Sequence, residues 1–197
     1  MSVKSLTVVG VIPAAGQSSR ASGYKLFYKW NDKLVIDSVA DSMSVVCSGI
    51  IVVTGARREE LDRHFSSRDK VITVYNPKWR LGMVSSVRAG LKAAGKENIL
   101  YCPADYPAIK ANTFLRICRF GLKKDKIIRA SYRHKAGPPL FLPAESWEDF
   151  LNAGPELSLR SWLNARDCLF LDCGDPYILE DVDTDDDYER IRARTDI

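Results

Sequence analysis

The chain has 197 residues and a formal net charge of +4, from 29 basic and 25 acidic side chains, and is long enough to bury roughly 70% of the surface its unfolded form exposes, so one domain over residues 1–197 is expected. The charges are interspersed without a basic block, which argues against a nucleic-acid-binding arm and fits a small anionic substrate. No apolar run approaches the ~20 residues that span a bilayer, no signal-peptide layout opens the chain, and five cysteines without a Cys-x-x-Cys pair accompany two histidines, so the expectation is a soluble, cytoplasmic protein with reduced thiols and no zinc site.

Leu6 to Ile12 is a continuous apolar, β-branched run, the pattern of a strand buried on both faces. It breaks into Pro13-Ala14-Ala15-Gly16-Gln17-Ser18-Ser19, small or turn-forming residues whose backbone can approach a ligand and aim N–H groups at it, while Arg20 and Lys25 add positive charge. Such a loop suits a polyphosphate. Its spacing is neither that of a P-loop nor that of a dinucleotide-binding triple glycine, and a surface loop with two solvated cations would have the same composition. Apolar residues at Val35, Ile36, Val39, Met43 and Val46 predict a helix within 34–46. Gly49 to Gly55 follows as a second buried strand, Arg57 to Phe65 as a short polar helix and Val71 to Tyr75 as a third strand. This alternation implies parallel strands joined by right-handed crossovers.

Ser85 and Ser86 fall near the start of a helix continuing through Val87, Leu91 and Ala94, where a hydroxyl can also serve as a cap. The apolar run Asn98 to Pro103 ends in Ala104-Asp105-Tyr106-Pro107, ahead of a helix over Asn112 to Phe120. Ligands of open α/β sheets bind beyond the carboxyl ends of strands, which makes Asp105 a candidate, although an aspartate before a proline turn is also an ordinary turn residue. Ile127 to Tyr132 is strand-like, Arg133 to Pro143 a turn into a short strand, Trp147 to Leu151 and Leu157 to Asn164 short helices, and Cys168 to Asp172 another strand. Near the end, Thr184 can cap a last helix whose first turn holds Asp185, Asp186 and Asp187, suited to the helix dipole and expected to be bystanders. Asp181 and Asp183 precede the cap and are left without that explanation.

Ala14-Ala-Gly-x-Ser-Ser-Arg20 followed by Lys25 resembles the signature loop of the nucleotidyltransferases typified by the molybdenum cofactor cytidylyl- and guanylyltransferases. Asn76-x-x-Trp79-x-x-Gly82-Met83-x-x-Ser86, Asp105-Tyr-Pro107 and Asp181-x-Asp183-Thr184-x-x-Asp187-Tyr188 are similar to further elements of that family, spread over nearly the whole chain. The resemblance implies a single α/β/α domain with a mostly parallel sheet, the Rossmann-like nucleotide-diphospho-sugar transferase fold. It implies nucleotide binding by Ala14, Ala15, Gly16, Ser18, Gly82 and Ser86, triphosphate contacts from Arg20 and Lys25, and Mg²⁺ held by Asp105 and Asp183. The implied reaction transfers a nucleoside monophosphate to a phosphorylated acceptor such as molybdopterin, with a molybdenum-enzyme apoprotein as a further partner and neither nucleic acid nor membrane involved. CTP is the expected donor, because guanylyl relatives tend to carry glycine where Ala15 stands. Gly137, Pro138 and Arg160 match the acceptor side incompletely: the family's Gly-His-Pro reads Gly137-Pro138-Pro139 here, so the acceptor is the less determined partner. The alternatives are a nucleotidyltransferase of the same fold acting on a sugar phosphate or phosphoalcohol, and a non-catalytic nucleotide- or cofactor-binding chaperone.

Overall fold

A computed structural model describes residues 7–195. In chain order the strands are β1 (Val8–Pro13), β2 (Lys29–Trp30), β3 (Lys33–Leu34), β4 (Gly49–Thr54), β5 (Val71–Tyr75), β6 (Asn98–Tyr101), β7 (Ile128–Tyr132), β8 (Lys135–Leu142) and β9 (Leu169–Asp172). The helices are α1 (Val35–Ser44), α2 (Arg58–Phe65), α3 (Met83–Ala94), α4 (Ala111–Lys124), α5 (Glu148–Asn152), α6 (Leu159–Asn164) and α7 (Asp185–Thr195). Leu6, the expected start of the first strand, lies outside the described residues.

Seven strands form one sheet in the order β5-β4-β1-β6-β8-β7-β9, with β2 and β3 paired apart as a small antiparallel ribbon. Every neighbouring pair in the large sheet is parallel except those that β8 makes with β6 and β7. Both faces are covered. Ile50 and Val52 of β4 join one core, with Ile36 of α1, Leu61 of α2, Phe114 of α4 and Ile191 of α7. Ile51 and Val53, the alternating set, join the other, with Leu91 of α3, Phe150 of α5 and Trp162 of α6. Opposite residues of one strand thus face opposite cores, which is why these strands read as unbroken apolar runs rather than alternating ones.

The departures from the sequence expectation have local causes. The helix α4 runs to Lys124, beyond Phe120, and stops where Asp125 takes a left-handed conformation at φ 51°. The turn after β7 leads not into a short strand but into the eight-residue β8. Proline has no N–H for a ladder, yet β8 carries two prolines between two neighbours. The register resolves this: Arg129 faces Leu140 while the next residue, Ala130, faces Gly137, so Pro138 and Pro139 form the bulge, and pairing with β6 also ends at Leu140.

Candidate active site

Three loops at the carboxyl ends of parallel strands meet around a cleft of about 570 Å³. The first leaves β1. Ala14 N–H donates to the Val53 carbonyl (2.9 Å) and Ala56 N–H to the Ala15 carbonyl (3.1 Å), so the start of the loop is fixed to the end of β4. Glycine is needed where they meet: a Cβ on Gly55 would stand 2.6 Å from the Ala15 carbonyl oxygen and 2.8 Å from Trp79 Cβ. Further on, Ser18 holds a left-handed backbone at φ 57°, unusual for a non-glycine residue and a mark of a constrained turn. Tyr24, buried, anchors the far side by donating to the Ala14 carbonyl at 3.2 Å. A 3₁₀ turn over Lys25–Phe27 then aims Lys25 inward.

The second wall is the segment between β5 and α3, and one buried side chain organises it. Asn76 Nδ2 donates to Ser85 Oγ (2.8 Å) and Ser86 Oγ (3.1 Å), while Asn76 Oδ1 accepts from Lys78 N–H (2.9 Å). Neither serine caps α3; the N-cap is Gly82, at φ 96°, a conformation open to glycine. Ser86, 3% exposed, faces the cleft.

The acidic wall joins two distant pieces of chain. The backbone N–H of Val182 donates to the Asp105 carbonyl at 2.8 Å, and the Val182 side chain is fully buried. Side chains alternate along an extended segment, so with Val182 in the core its neighbours turn the other way. Asp181 and Asp183 accordingly come beside Asp105, with one oxygen from each of the three within 4.8 Å of the others. Lys25 Nζ lies 2.9 Å from Asp105 Oδ2 and 2.9 Å from Asp183 Oδ1, and Arg20 Nη1 lies 2.5 Å from Asp183 Oδ2.

Burial and charge together set the protonation states. Burial pulls the Lys25 ammonium toward deprotonation, but Asp105 and Asp183 outweigh it and hold its pKa above the ordinary lysine value. Burial, reinforced by the Asp105 and Asp183 charges, pushes the Asp181 carboxyl above the usual range. Tyr106, beside these acids, is pushed up as well, first by burial and then by Asp181 and Asp105, so it stays a phenol. A compact all-oxygen donor set of three carboxylates without histidine or cysteine suits a hard divalent cation of the Mg²⁺ or Mn²⁺ kind.

All the residues expected to serve nucleotide and triphosphate line this cleft: Ala14, Ala15, Gly16, Ser18, Arg20, Lys25, Gly82, Ser86, Asp105 and Asp183. The three acceptor candidates do not. A Cβ on Gly137 would meet the Ile178 carbonyl oxygen at 2.0 Å, so the constraint visible there is close packing of β8 on the 176–179 turn. Pro138 sits in the bulge of β8, and Arg160 is exposed on α6. Sequence reasoning named Gln17, Ser19, Trp79 and Met83 only as members of motifs and gave no role to Arg80, all of which also line the cleft, nor to Asp181. For Asp181 the signal was present, since an acid two residues from Asp183 across a buried valine shares its face.

A small-residue loop with two cations, facing grouped carboxylates at the carboxyl ends of parallel strands, is the arrangement of a nucleotide-binding transferase. The chain belongs to the MobA-like NTP transferase domain family, whose model matches residues 10–169, and it is thereby a nucleotidyltransferase. The molybdenum cofactor cytidylyltransferase of Escherichia coli K12 is 26% identical over 93% of this chain and 95% of its own length. A nucleotidyl transferase from Methanothermobacter thermautotroptrophicus superposes with a TM-score of 0.82 at 24% identity, covering 96% of this chain and 97% of that one. A Mycobacterium tuberculosis H37Rv protein whose structure is a complex with manganese superposes with 0.73 at 21% identity, covering 95% and 98%.

Proposed function

We propose that this nucleotidyltransferase transfers CMP from CTP to a phosphorylated acceptor, with the pterin phosphate of molybdopterin as that acceptor, and releases pyrophosphate. The observation that carries the reading is the meeting of Asp105 and Asp183, 78 positions apart in sequence, on one lysine that the signature loop delivers. In the reaction an acceptor phosphate oxygen, ionised at neutral pH, forms a bond to the α-phosphorus in line as the bond to the bridging oxygen breaks. That oxygen leaves with the electron pair as part of pyrophosphate. No proton has to be removed from the nucleophile, so the task is positioning and charge neutralisation. The Ala14 to Ser18 backbone would cradle the triphosphate, while Arg20 and Lys25 would neutralise the departing pyrophosphate. Asp105 and Asp183, with Asp181 beside them, would hold a divalent ion, which when bound shields the triphosphate's charge from an anionic nucleophile. The manganese complex of the mycobacterial structure supports that choice of ion.

The preference for CTP rests on the Escherichia coli relative and on Ala15, which is 6% exposed with its carbonyl tied to Ala56 and its methyl group wedged at the Gly55 contact. Pyrophosphate release should be measured with each of four triphosphates, in Mg²⁺, over a panel of phosphorylated pterin, sugar and alcohol acceptors. CTP with the pterin phosphate should give the largest kcat/KM. Faster turnover with GTP would overturn the donor, faster turnover of a sugar phosphate the acceptor, and no pyrophosphate from any pair the catalytic reading as a whole.

A further inference from the structure

Asp185 was expected to be a bystander in the first turn of α7, and its contacts say otherwise. One carboxylate oxygen accepts the backbone N–H of Ser22 at 3.0 Å, and the other accepts the Tyr28 hydroxyl at 2.6 Å. The same Tyr28 oxygen accepts the Gly23 N–H at 2.9 Å and lies 3.3 Å from Ser22 Oγ. Ser22 and Gly23 sit between Arg20 and Lys25, so the stretch joining the two cleft cations is held from outside by one aspartate and one tyrosine. Asp183, which both cations grip, is two residues before Asp185 on the same chain segment.

The two ends of this fastening differ in character. Tyr28 rests edge-on against Tyr188 of α7, at 5.2 Å between ring centres, and Tyr188 in turn lies 6.2 Å from Trp30 and donates to the Lys29 carbonyl. Aromatic packing thus joins Tyr28 and the ribbon of β2 and β3 to α7. The Asp185 end is polar and reaches solvent. Its contact with Ser22, an exposed backbone-to-side-chain hydrogen bond, can therefore form and break while Tyr24 stays in the core. From these contacts we infer that Asp185 and Tyr28 act as a latch which positions the Arg20–Lys25 stretch for the triphosphate. Asp185 is a positioning residue, acting through Arg20 and Lys25. The inference rests on the nucleotidyltransferase reading of the cleft and adds to it a device outside the cleft.

A latch that holds both cations before substrate arrives contributes to ground-state and transition-state binding alike, so its loss should appear in KM rather than kcat. Asp185→Ala and Tyr28→Phe should each raise KM for the triphosphate about tenfold, the scale of one or two net hydrogen bonds, with kcat within about twofold of wild type. Asp185→Asn, which keeps one acceptor oxygen, should fall between. The neighbouring exposed Asp186, changed to alanine, should match wild type. Limited trypsin cleavage after Arg20, in the protein without substrate, should quicken in Asp185→Ala and Tyr28→Phe but not in Asp186→Ala, with melting temperatures little changed. Kinetics and cleavage in Asp185→Ala equal to those of Asp186→Ala would overturn the latch, as would a fall in kcat at constant KM. If the wild-type enzyme released no pyrophosphate from any triphosphate, that failure would belong to the functional reading, and the cleavage rates alone would decide the latch.

Discussion

Lys25 has 12% of its side chain exposed, and its ammonium neutralises two carboxylates that are themselves mostly covered. Seen from sequence alone, a loop lysine makes few contacts and its removal should leave stability untouched. The geometry gives another answer. Lys25→Ala leaves Asp105, Asp181 and Asp183 facing one another, with the exposed Arg20 as the cation still paired to Asp183 among the described residues, and breaking such a pair from one side costs more than the pair itself contributes. In metal-free buffer this variant should lose about 1–3 kcal/mol of stability, less than a fully buried pair would because the acids keep some solvent. Adding Mg²⁺ should recover part of that loss, as a second cation takes over the shielding. Turnover should fall by about 2–4 kcal/mol of transition-state stabilisation, as when one preorganised donor is removed, and the ion should not restore it. A chemical denaturation series with and without Mg²⁺, run beside kcat/KM, checks both halves. Unchanged stability without metal would mean that the contacts of Lys25 are energetically idle. The residues of this cleft were legible as types, because small residues, cations and acids each announce themselves in a chain. What they touch was not, because Asp183 meets Lys25 across 158 positions and no local pattern encodes that distance.

Whole elements were legible where burial dictates their pattern. Strands β1, β4 and β6 were each expected within a few residues of their bounds, since a strand covered on both faces has to be an apolar run, whereas β5, at the sheet edge with Ile72 and Tyr75 exposed, was legible from its β-branched and aromatic residues. The elements that escaped are those held by contacts with something else: the 3₁₀ turns at Lys25–Phe27, Trp79–Leu81 and Pro176–Leu179, and the ribbon of β2 and β3 packed on Tyr188. Two prolines hid the length of β8, because the bulge that accommodates them depends on where its neighbours stop. The start of α7 was legible and is better made than expected. Thr184 Oγ1 accepts the Asp187 N–H at 3.1 Å while Asp187 Oδ2 accepts both the Thr184 N–H at 3.1 Å and its hydroxyl at 2.7 Å, a reciprocal capping box. Thr184→Ala should cost about 1 kcal/mol, a fall of roughly 2–4 °C in melting temperature for a chain of this size. Because the box also fixes the segment just after Asp183, activity should fall further than stability does. Equal losses in the two would mean that the cap serves the helix alone.

Across the whole molecule, acid acts chiefly on carboxylates outside the cleft, and metal on those within it. Asp41 is lowered despite burial, because Lys33 and Arg68 donate to it; the hydroxyl of Tyr28 and the Ser22 N–H lower Asp185, and Arg190 with Thr184 lowers Asp187. A carboxyl lowered by folding contributes stability that is present above its unfolded pKa of about 4 and is lost as pH falls toward its folded value. Asp181, raised by folding, runs the other way and regains stability on protonation, but it is one group against three. Stability should therefore be level near neutrality and fall below about pH 4, more gently in high salt, where exposed pairs such as Arg190 with Asp187 are screened. A urea midpoint that stays constant from pH 6 to pH 3 would refute this. The cleft assembles from the β1 loop, the segment between β5 and α3, the Asp105 turn and the strand-like piece at Val182, so a ligand that binds there links four parts of the fold at once. Anything bound to the native form alone raises stability in proportion to RT ln(1 + [L]/Kd), about 2.7 kcal/mol at a hundredfold excess over Kd. Mg²⁺ with CTP should accordingly raise the melting temperature of the wild-type protein, and CTP without the ion should do so far less, since three carboxylates then repel the triphosphate. Asp105→Asn and Asp183→Asn should each fold, because neither side chain belongs to a core, and each should lose both the Mg²⁺-dependent shift and turnover. Asp186→Asn, on the exposed side of α7, should keep both. If the asparagine variants retain the full metal-dependent shift, the ion binds elsewhere and the acidic wall has some other part in the reaction than holding it.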